Sequence, residues 1–423
     1  MTAVRITGAR ITPVAFADPP LLNTVGVHQP YALRAVIQLD TDAGLVGLGE
    51  TYADTRHLAR LNAAAGAIAG LDVFALNEIR AAIAVALADE LKSDGAAVGT
   101  AGMITTASAV DQVLSPFEVA CLDVQGHVLG RPVSDLLGGK VRDAVPFSAY
   151  LFYKWAGHPG AGPDTFGEAL DPDGLVSQAR RIVDEYGFTA IKVKGGVFAP
   201  EEEMAGIEAL AKAFPGMPLR LDPNAAWTPQ TSIKVASGLA DILEYLEDPT
   251  PGLDGMAEVA RQSPLPLATN MCVVAFDQLK PAVLKDSVKV VLSDHHYWGG
   301  LQRSRLLAGI CETFGLGLSM HSNSHLGISL AAMVHLAGAT PNLTYACDTH
   351  WPWKTEEVIK DGALQFVDGS VPVPTGPGLG VEIDEDSLAA LHEQYVTCGI
   401  RDRDDTGYMQ TVDPDFTLAS PRW

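Results

Sequence analysis

Six short apolar runs between residues 189 and 321 each end on a polar residue, and the six ends keep a nearly constant spacing. TAIKVK, PLRLD, ILEYLE, PLATN, VKVVLSD and LGLSMH close on Lys194, Asp222, Glu247, Asn270, Asp294 and His321, so successive ends are 28, 25, 23, 24 and 27 residues apart. One strand, one returning helix and two short connections fill such an interval. PFSAYLF before these runs and LTYACD after them bring the total to eight, separated by seven helical stretches. This alternation predicts a parallel (β/α) barrel, in which side chains at the strand C-termini share one mouth.

The first part of the chain reads differently. Residues 32–50, ALRAVIQLDTDAGLVGLGE, hold two apolar runs around Thr41-Asp42-Ala43-Gly44, a hairpin signal. From Thr55 to Gly130 the pattern is alanine-rich and helical, with a glycine-rich loop predicted at Gly95–Gly102. Sheet followed by helices predicts an α+β unit ahead of the barrel, and 423 residues leave room for both.

Composition removes several function classes. Fifty-one acidic against 29 basic side chains give a net charge of −22, so no nucleic acid and no anionic membrane is expected as partner. The five cysteines are scattered, with neither a disulfide framework nor a zinc knuckle, which suits a reducing compartment. No apolar stretch reaches the ~18 residues of a membrane span, and the N-terminus lacks a leader pattern; a soluble cytoplasmic protein is the expectation. The glycines of Thr375–Gly380 lack the Lys-Ser/Thr of a phosphate loop.

At the predicted mouth, Lys192 and Lys194 are two apart on one strand and so share a face. Two ammonium groups held together disfavour each other's charge, which would lower a lysine pKa into the range of a base; a solvated strand end is the plain alternative. Asp222, Glu247 and Asn270 end three consecutive strands about 4.8 Å apart. One cation could touch all three, and an all-oxygen set suits Mg2+ over zinc. Asp222 and Asp248 each precede proline, so helix capping is the competing reading, and for Asp248 it suffices. Asp294 and His321 end neighbouring strands; a carboxylate on an imidazole fixes its tautomer and makes an acid-base dyad. The lysines lie across the mouth from His321, so two proton carriers could address opposite faces of one carbon. His321 and His325 have the spacing of helical zinc ligands, but the run before His321 makes it a strand end and no H-E-x-x-H glutamate is present. His295, His296 and His335 read as structural.

With these positions in hand, the chain resembles the enolase superfamily and, within it, the glucarate dehydratase family. The likeness covers nearly the whole chain and is carried by AYLFY (149–153), YGFTAIKVKGGV (186–197), LDPNAAW (221–227), LATNM (267–271), HSNSH (321–325) and DTHW (348–351), with GRPVSDLLGG (130–139) at the entry to the barrel. Asparagine as third metal ligand is its most specific mark. Asp294 departs from the pattern, being followed by His295 where proline is expected.

The resemblance implies an enolase-like fold: a modified (β/α) barrel at 141–370, with an N-terminal α+β capping domain of 1–140 closed by residues 371–423. It implies Mg2+ held by Asp222, Glu247 and Asn270, Lys194 as one base with Lys192 near the substrate carboxylate, and His321 as second base oriented by Asp294. Substrate contacts are implied for Asn23, His28, Tyr150, Lys192, Asn224, Asn270, Ser322, Asn323, His350 and Arg403. The implied reaction is dehydration of an aldarate, D-glucarate or its C5 epimer L-idarate, to 5-keto-4-deoxy-D-glucarate by a hydro-lyase that forms a homo-oligomer. Other acid-sugar dehydratases or epimerases (galactarate, aldonate), a non-catalytic acid-sugar binder and a Schiff-base aldolase are the alternatives; the last leaves the three oxygen ligands without a role.

Overall fold

The computed structural model describes residues 3–93 and 106–423. The expected loop at Gly95–Gly102 lies outside the described residues.

The expected hairpin is present as Tyr31–Thr41 paired antiparallel with Val46–Tyr52, and Ile6–Ala17 adds a third strand along Tyr31–Thr41. Helices Thr55–Ile68, Leu76–Ser93 and Thr106–Leu129 cover this sheet and enclose a core that includes Ile37, Leu61, Ile83 and Phe117. Helix Glu385–Cys398 returns to the same sheet. His392 Nδ1 lies 2.7 Å from the Pro13 carbonyl, and Gln394 donates to Ala15 O at 3.0 Å.

The barrel strands are Ala149–Phe152, Ile191–Lys194, Leu219–Asp222, Leu243–Glu247, Leu267–Thr269, Val290–Ser293 and Gly317–Met320, hydrogen-bonded in that order as one seven-stranded parallel sheet. Each is almost wholly buried, as strands covered on both faces must be. Helices between them begin where the local chemistry starts a helix. Pro172–Tyr186 opens with Asp171 accepting from Gly174 N and a proline in its first turn, and Thr228 caps Pro229–Gly238 in the same way.

Two run assignments need correction. PFSAYLF is split: Ala144–Pro146 pairs antiparallel with Ser370–Pro372, and the barrel strand proper begins at Ala149. LTYACD closes the ring without forming a ladder. Thr344 N and Tyr345 N both donate to the single carbonyl of Leu318, which breaks the register, and only Cys347 bridges Phe147. Asp348 N then reaches Met320 O at 2.8 Å, so the eighth segment still joins strand seven to strand one. No helix among the described residues is long and apolar enough to cross a membrane.

Candidate active site and metal centre

Strands two and three pair in register at Lys194 and Asp222. The Lys192 ammonium, fully buried, lies 2.7 Å from Glu247 Oε1, 2.8 Å from Asp348 Oδ2 and 3.4 Å from Asp222 Oδ2, with the Tyr150 ring centroid at 4.7 Å. Lys194 donates to Asp222 Oδ2 at 2.7 Å and to Asn224 Oδ1 at 2.9 Å. The expected lowering of a lysine pKa is not found at Lys192. Burial does oppose its charge, but the Asp348 and Glu247 carboxylates outweigh that and hold it well above the ordinary lysine value.

The loops beyond these strands nearly touch. A Cβ on Gly196, at φ +76°, would stand 2.3 Å from the Pro223 carbonyl, so only glycine fits. Asn224 and Ala225 adopt left-handed φ values of 55° and 63°, strained for residues with side chains. They are held there by Asn224 N on Asp222 Oδ1 at 3.0 Å and Ala225 N on Asp248 O at 2.7 Å.

Asp222, Glu247 and Asn270 follow one another on strand ends three, four and five, all buried. The Asn270 side-chain oxygen has no hydrogen-bond partner among the described residues, an arrangement that costs about 1–3 kcal/mol unless something meets it. Burial raises the Glu247 pKa well above the usual carboxylate value, with Asp222, Asp348 and Asp248 adding to it and Lys192 opposing. At Asp222 burial is overcome by the two lysines, and its pKa falls below the usual value. An unmet amide oxygen beside crowded carboxylates fits a hard divalent cation. Asp248 is not a helix cap, since the next helix, Gly252–Ala260, has Pro251 at that position. Its carboxylate instead accepts from Thr269 Oγ1 at 2.5 Å, Asn270 N at 2.7 Å and Met271 N at 3.1 Å, and so fixes the backbone that presents Asn270. Asp222 likewise caps no helix, because Thr228 does.

Asp294 directly follows strand six and His321 directly follows strand seven, and Asp294 Oδ2 lies 3.0 Å from His321 Nδ1. A carboxylate on Nδ1 places the imidazole proton there and leaves Nε2 to act as base. Burial opposes ionisation of Asp294, but His296 and His321 hold its pKa well below the usual carboxylate value. His321 to His325 lie outside any helix, as expected for a strand end.

The expected substrate contacts form two groups. Tyr150 and His350 pack edge to face at 4.9 Å, and Ser322 Oγ lies 3.4 Å from His350 Nδ1. Burial and His28 hold the His350 pKa well below the ordinary value, so the ring is neutral. Asn23 and Arg403 meet at Asp405, and Asn323 joins them through Arg403. Arg403 donates to Asp405 Oδ2 at 2.6 and 3.0 Å and to Asn323 Oδ1 at 3.4 Å, and Asn23 Nδ2 donates to Asp405 Oδ2 at 3.2 Å. The Arg403 fork is thus occupied from within the chain. His28 faces Asp18 Oδ2 at 3.0 Å.

Sequence reasoning passed over Asp348, which ends the eighth run and holds Lys192; the run of strand-end residues pointed to it. It also passed over Arg34 and Glu50, and it read His296 as structural. Arg34 Nε donates to Glu50 Oε1 at 2.8 Å, both fully buried, and Arg34 Nη2 reaches His296 Nε2 at 2.9 Å. His335 is structural, accepting from Ser134 N at 3.1 Å and facing Leu379 O.

A barrel whose strand ends carry two lysines, an Asp-Glu-Asn oxygen set and an Asp-His pair defines the class, and the family comparison agrees: residues 174–387 match the "Enolase C-terminal domain-like" family. The chain belongs to the enolase superfamily, and within it is similar to glucarate dehydratases. It is 52% identical to a probable glucarate dehydratase of Streptomyces coelicolor, over 99% of each chain. An enolase of Mycobacterium smegmatis, solved with tartrate, superposes with a TM-score of 0.96 at 78% identity over 100% of this chain and 99% of that one. An enolase of Pseudomonas fluorescens, solved with magnesium, potassium and tartrate, gives a TM-score of 0.96 at 51% identity over the full length of both.

Proposed function

We propose that the chain is a Mg2+-dependent hydro-lyase that dehydrates D-glucarate, and its C5 epimer L-idarate, to 5-keto-4-deoxy-D-glucarate. The observation that carries this reading is the placement of two separate proton carriers, Lys194 on strand two and His321 on strand seven, at the mouth that also presents Asp222, Glu247 and Asn270. The glucarate dehydratase-like relative and the two neighbours solved with tartrate, a hydroxylated dicarboxylate, support the substrate class.

In this reading Asp222, Glu247 and Asn270 hold Mg2+, which when bound supplies Lewis-acid stabilisation to carboxylate oxygens as charge builds on them. A proton beside a carboxylate is very weakly acidic, so fixed positive charge is needed where the enediolate forms; Lys192 adds to it. His321 Nε2 takes the C5 proton of D-glucarate. The C–H electron pair moves toward the adjoining carboxylate, then back to expel the C4 hydroxyl, which leaves as water with the proton returned by the imidazolium. The enol that remains tautomerises to the 5-keto acid. Lys194 does the corresponding work on the opposite face, for L-idarate. Asn23, Asn323 and the Nη1 edge of Arg403 that Asp405 leaves open address the distal carboxylate, and Tyr150, His28, Asn224, Ser322 and His350 line the rest of the mouth. Residues 1–140 with 371–423 form the capping domain and 141–370 the catalytic barrel. The enzyme works in the cytoplasm as a homo-oligomer.

A panel of D-glucarate, L-idarate, galactarate and an aldonate, assayed for 2-keto-acid formation, tests the substrate. Turnover of the first two is expected, and preference for a monocarboxylic sugar acid would overturn the assignment.

A further inference from the structure

Asp294 serves two imidazoles. Oδ2 faces His321 at 3.0 Å, while Oδ1 accepts from His296 N at 2.9 Å and lies 2.7 Å from His296 Nδ1. The tautomer of His296 follows from its other side. Arg34 Nη2 stands 2.9 Å from His296 Nε2, and a guanidinium has only donors, so Nε2 accepts and Nδ1 carries the proton that reaches Asp294. Arg34 is aimed in turn by Glu50 through Nε at 2.8 Å. The remaining acceptor capacity of Glu50 holds Leu326 N and Ser329 N, both at 2.8 Å, at the start of helix Gly327–Gly338. Ser329 Oγ lies within 3.0 Å of His296 Nε2 and 3.2 Å of Arg34 Nη2. Two strands of the N-terminal sheet therefore reach the ends of strands six and seven through one continuous hydrogen-bonded chain.

Asp294, His295 and His296 also place three donor atoms within 4.8 Å of one another, the geometry of a metal cluster. That cluster is no cation site, because both ring nitrogens of His296 are engaged, Nδ1 by Asp294 and Nε2 by the Arg34 guanidinium.

We propose that His296 is a positioning residue for the His321 face of the reaction, locked in its Nδ1–H tautomer by Arg34 and Glu50. A carboxylate held at one oxygen still turns about its last torsion, which has a broad profile. Held by His296 at Oδ1, it presents Oδ2 to His321 in one orientation, and the imidazole with it. The effect falls on one face of the substrate because Lys194 is oriented by other groups, Asp222 and Asn224. This inference rests on the reading of His321 as a base.

The test compares His296→Leu, which removes the side-chain donor and keeps the backbone one, with His296→Asn, whose amide nitrogen stands near the place of Nδ1. In the Mg2+-loaded enzyme, His296→Leu is expected to lower kcat on D-glucarate by roughly 10- to 100-fold with KM little changed, to spare L-idarate within about 2-fold, and to be partly rescued in His296→Asn. Nitrogen-15 spectra of histidine-labelled wild-type protein read the tautomer without any turnover, and the Nδ1–H signature is expected at His296. Equal losses on the two epimers in His296→Asn, or an Nε2–H signature, would overturn the proposal. If the wild-type enzyme turns over neither aldarate, the functional reading fails and the nitrogen-15 signature alone decides for or against the locked tautomer.

Discussion

Removing Arg34 tests the link between the N-terminal sheet and the barrel. Burial alone would push the Glu50 carboxyl up, but the Arg34 guanidinium and the amides of Leu326 and Ser329 hold it at about 2, against 4.5 unperturbed. A difference of about 2.5 units at 1.36 kcal/mol per unit corresponds to about 3 kcal/mol, and breaking a buried pair by removing one partner typically costs about 3–5 kcal/mol. Both routes give a sizeable part of the ~5–15 kcal/mol that holds a typical protein folded. Arg34→Met is therefore expected to lower the thermal unfolding midpoint at pH 7 by several degrees. In Arg34→Met/Glu50→Gln part of the loss should return, because no charge is then left buried and unpaired. The pH dependence has a definite sign: a carboxyl with a depressed folded pKa stabilises above its unfolded pKa, and that contribution fades as pH falls from about 4.5 toward about 2. The gap between wild type and Glu50→Gln should be constant above pH 5 and begin to narrow below about 4.5. An Arg34→Met midpoint equal to wild type, or a double variant whose loss is the sum of the two single losses, would refute the reasoning.

Three further outcomes are expected. Asn270→Leu removes the unpartnered oxygen and should weaken Mg2+ binding, followed by titration calorimetry, by roughly 10-fold or more, while an unchanged affinity would remove Asn270 from the metal set. Lys192→Met strips Glu247 and Asp348 of a shared ammonium and should abolish turnover and lower the unfolding free energy by about 3 kcal/mol or more; a variant as stable as the parent contradicts the pairing. Lys194→Met and His321→Asn should cross over in C5 deuterium exchange, the first losing L-idarate and the second D-glucarate, and identical profiles would show that the two residues do not serve opposite faces.

The barrel was legible because its signal is periodic and local. Each strand end from Lys194 to His321 falls within one residue of where the spacing puts it, since a parallel strand buried on both faces must be an apolar run and must stop where the mouth begins. The eighth segment escaped the pattern because its hydrogen bonds are irregular, two amides sharing the Leu318 carbonyl, and a run of residues carries no mark of that. Asp248 looked like a cap because Asp-Pro is a common helix start, whereas tertiary contacts 21 to 23 positions away turn it toward the Asn270 backbone. The Arg34, Glu50 and His296 chain was invisible for a stronger reason. Its links from the N-terminal sheet to the barrel span 262 to 295 positions between two differently patterned parts of the molecule, and no local periodicity encodes such a pairing.

Product formation from D-glucarate, followed by proton NMR on one enzyme sample as supplied with Mg2+, after EDTA, and after Mg2+ is returned, bears most directly on the proposed chemistry. The expected result is a keto-deoxy acid with the C5 proton lost, formation stopped by EDTA and restored by the metal. Dehydration that continues undiminished in EDTA, or no product from any aldarate in the Mg2+-loaded enzyme, would contradict it.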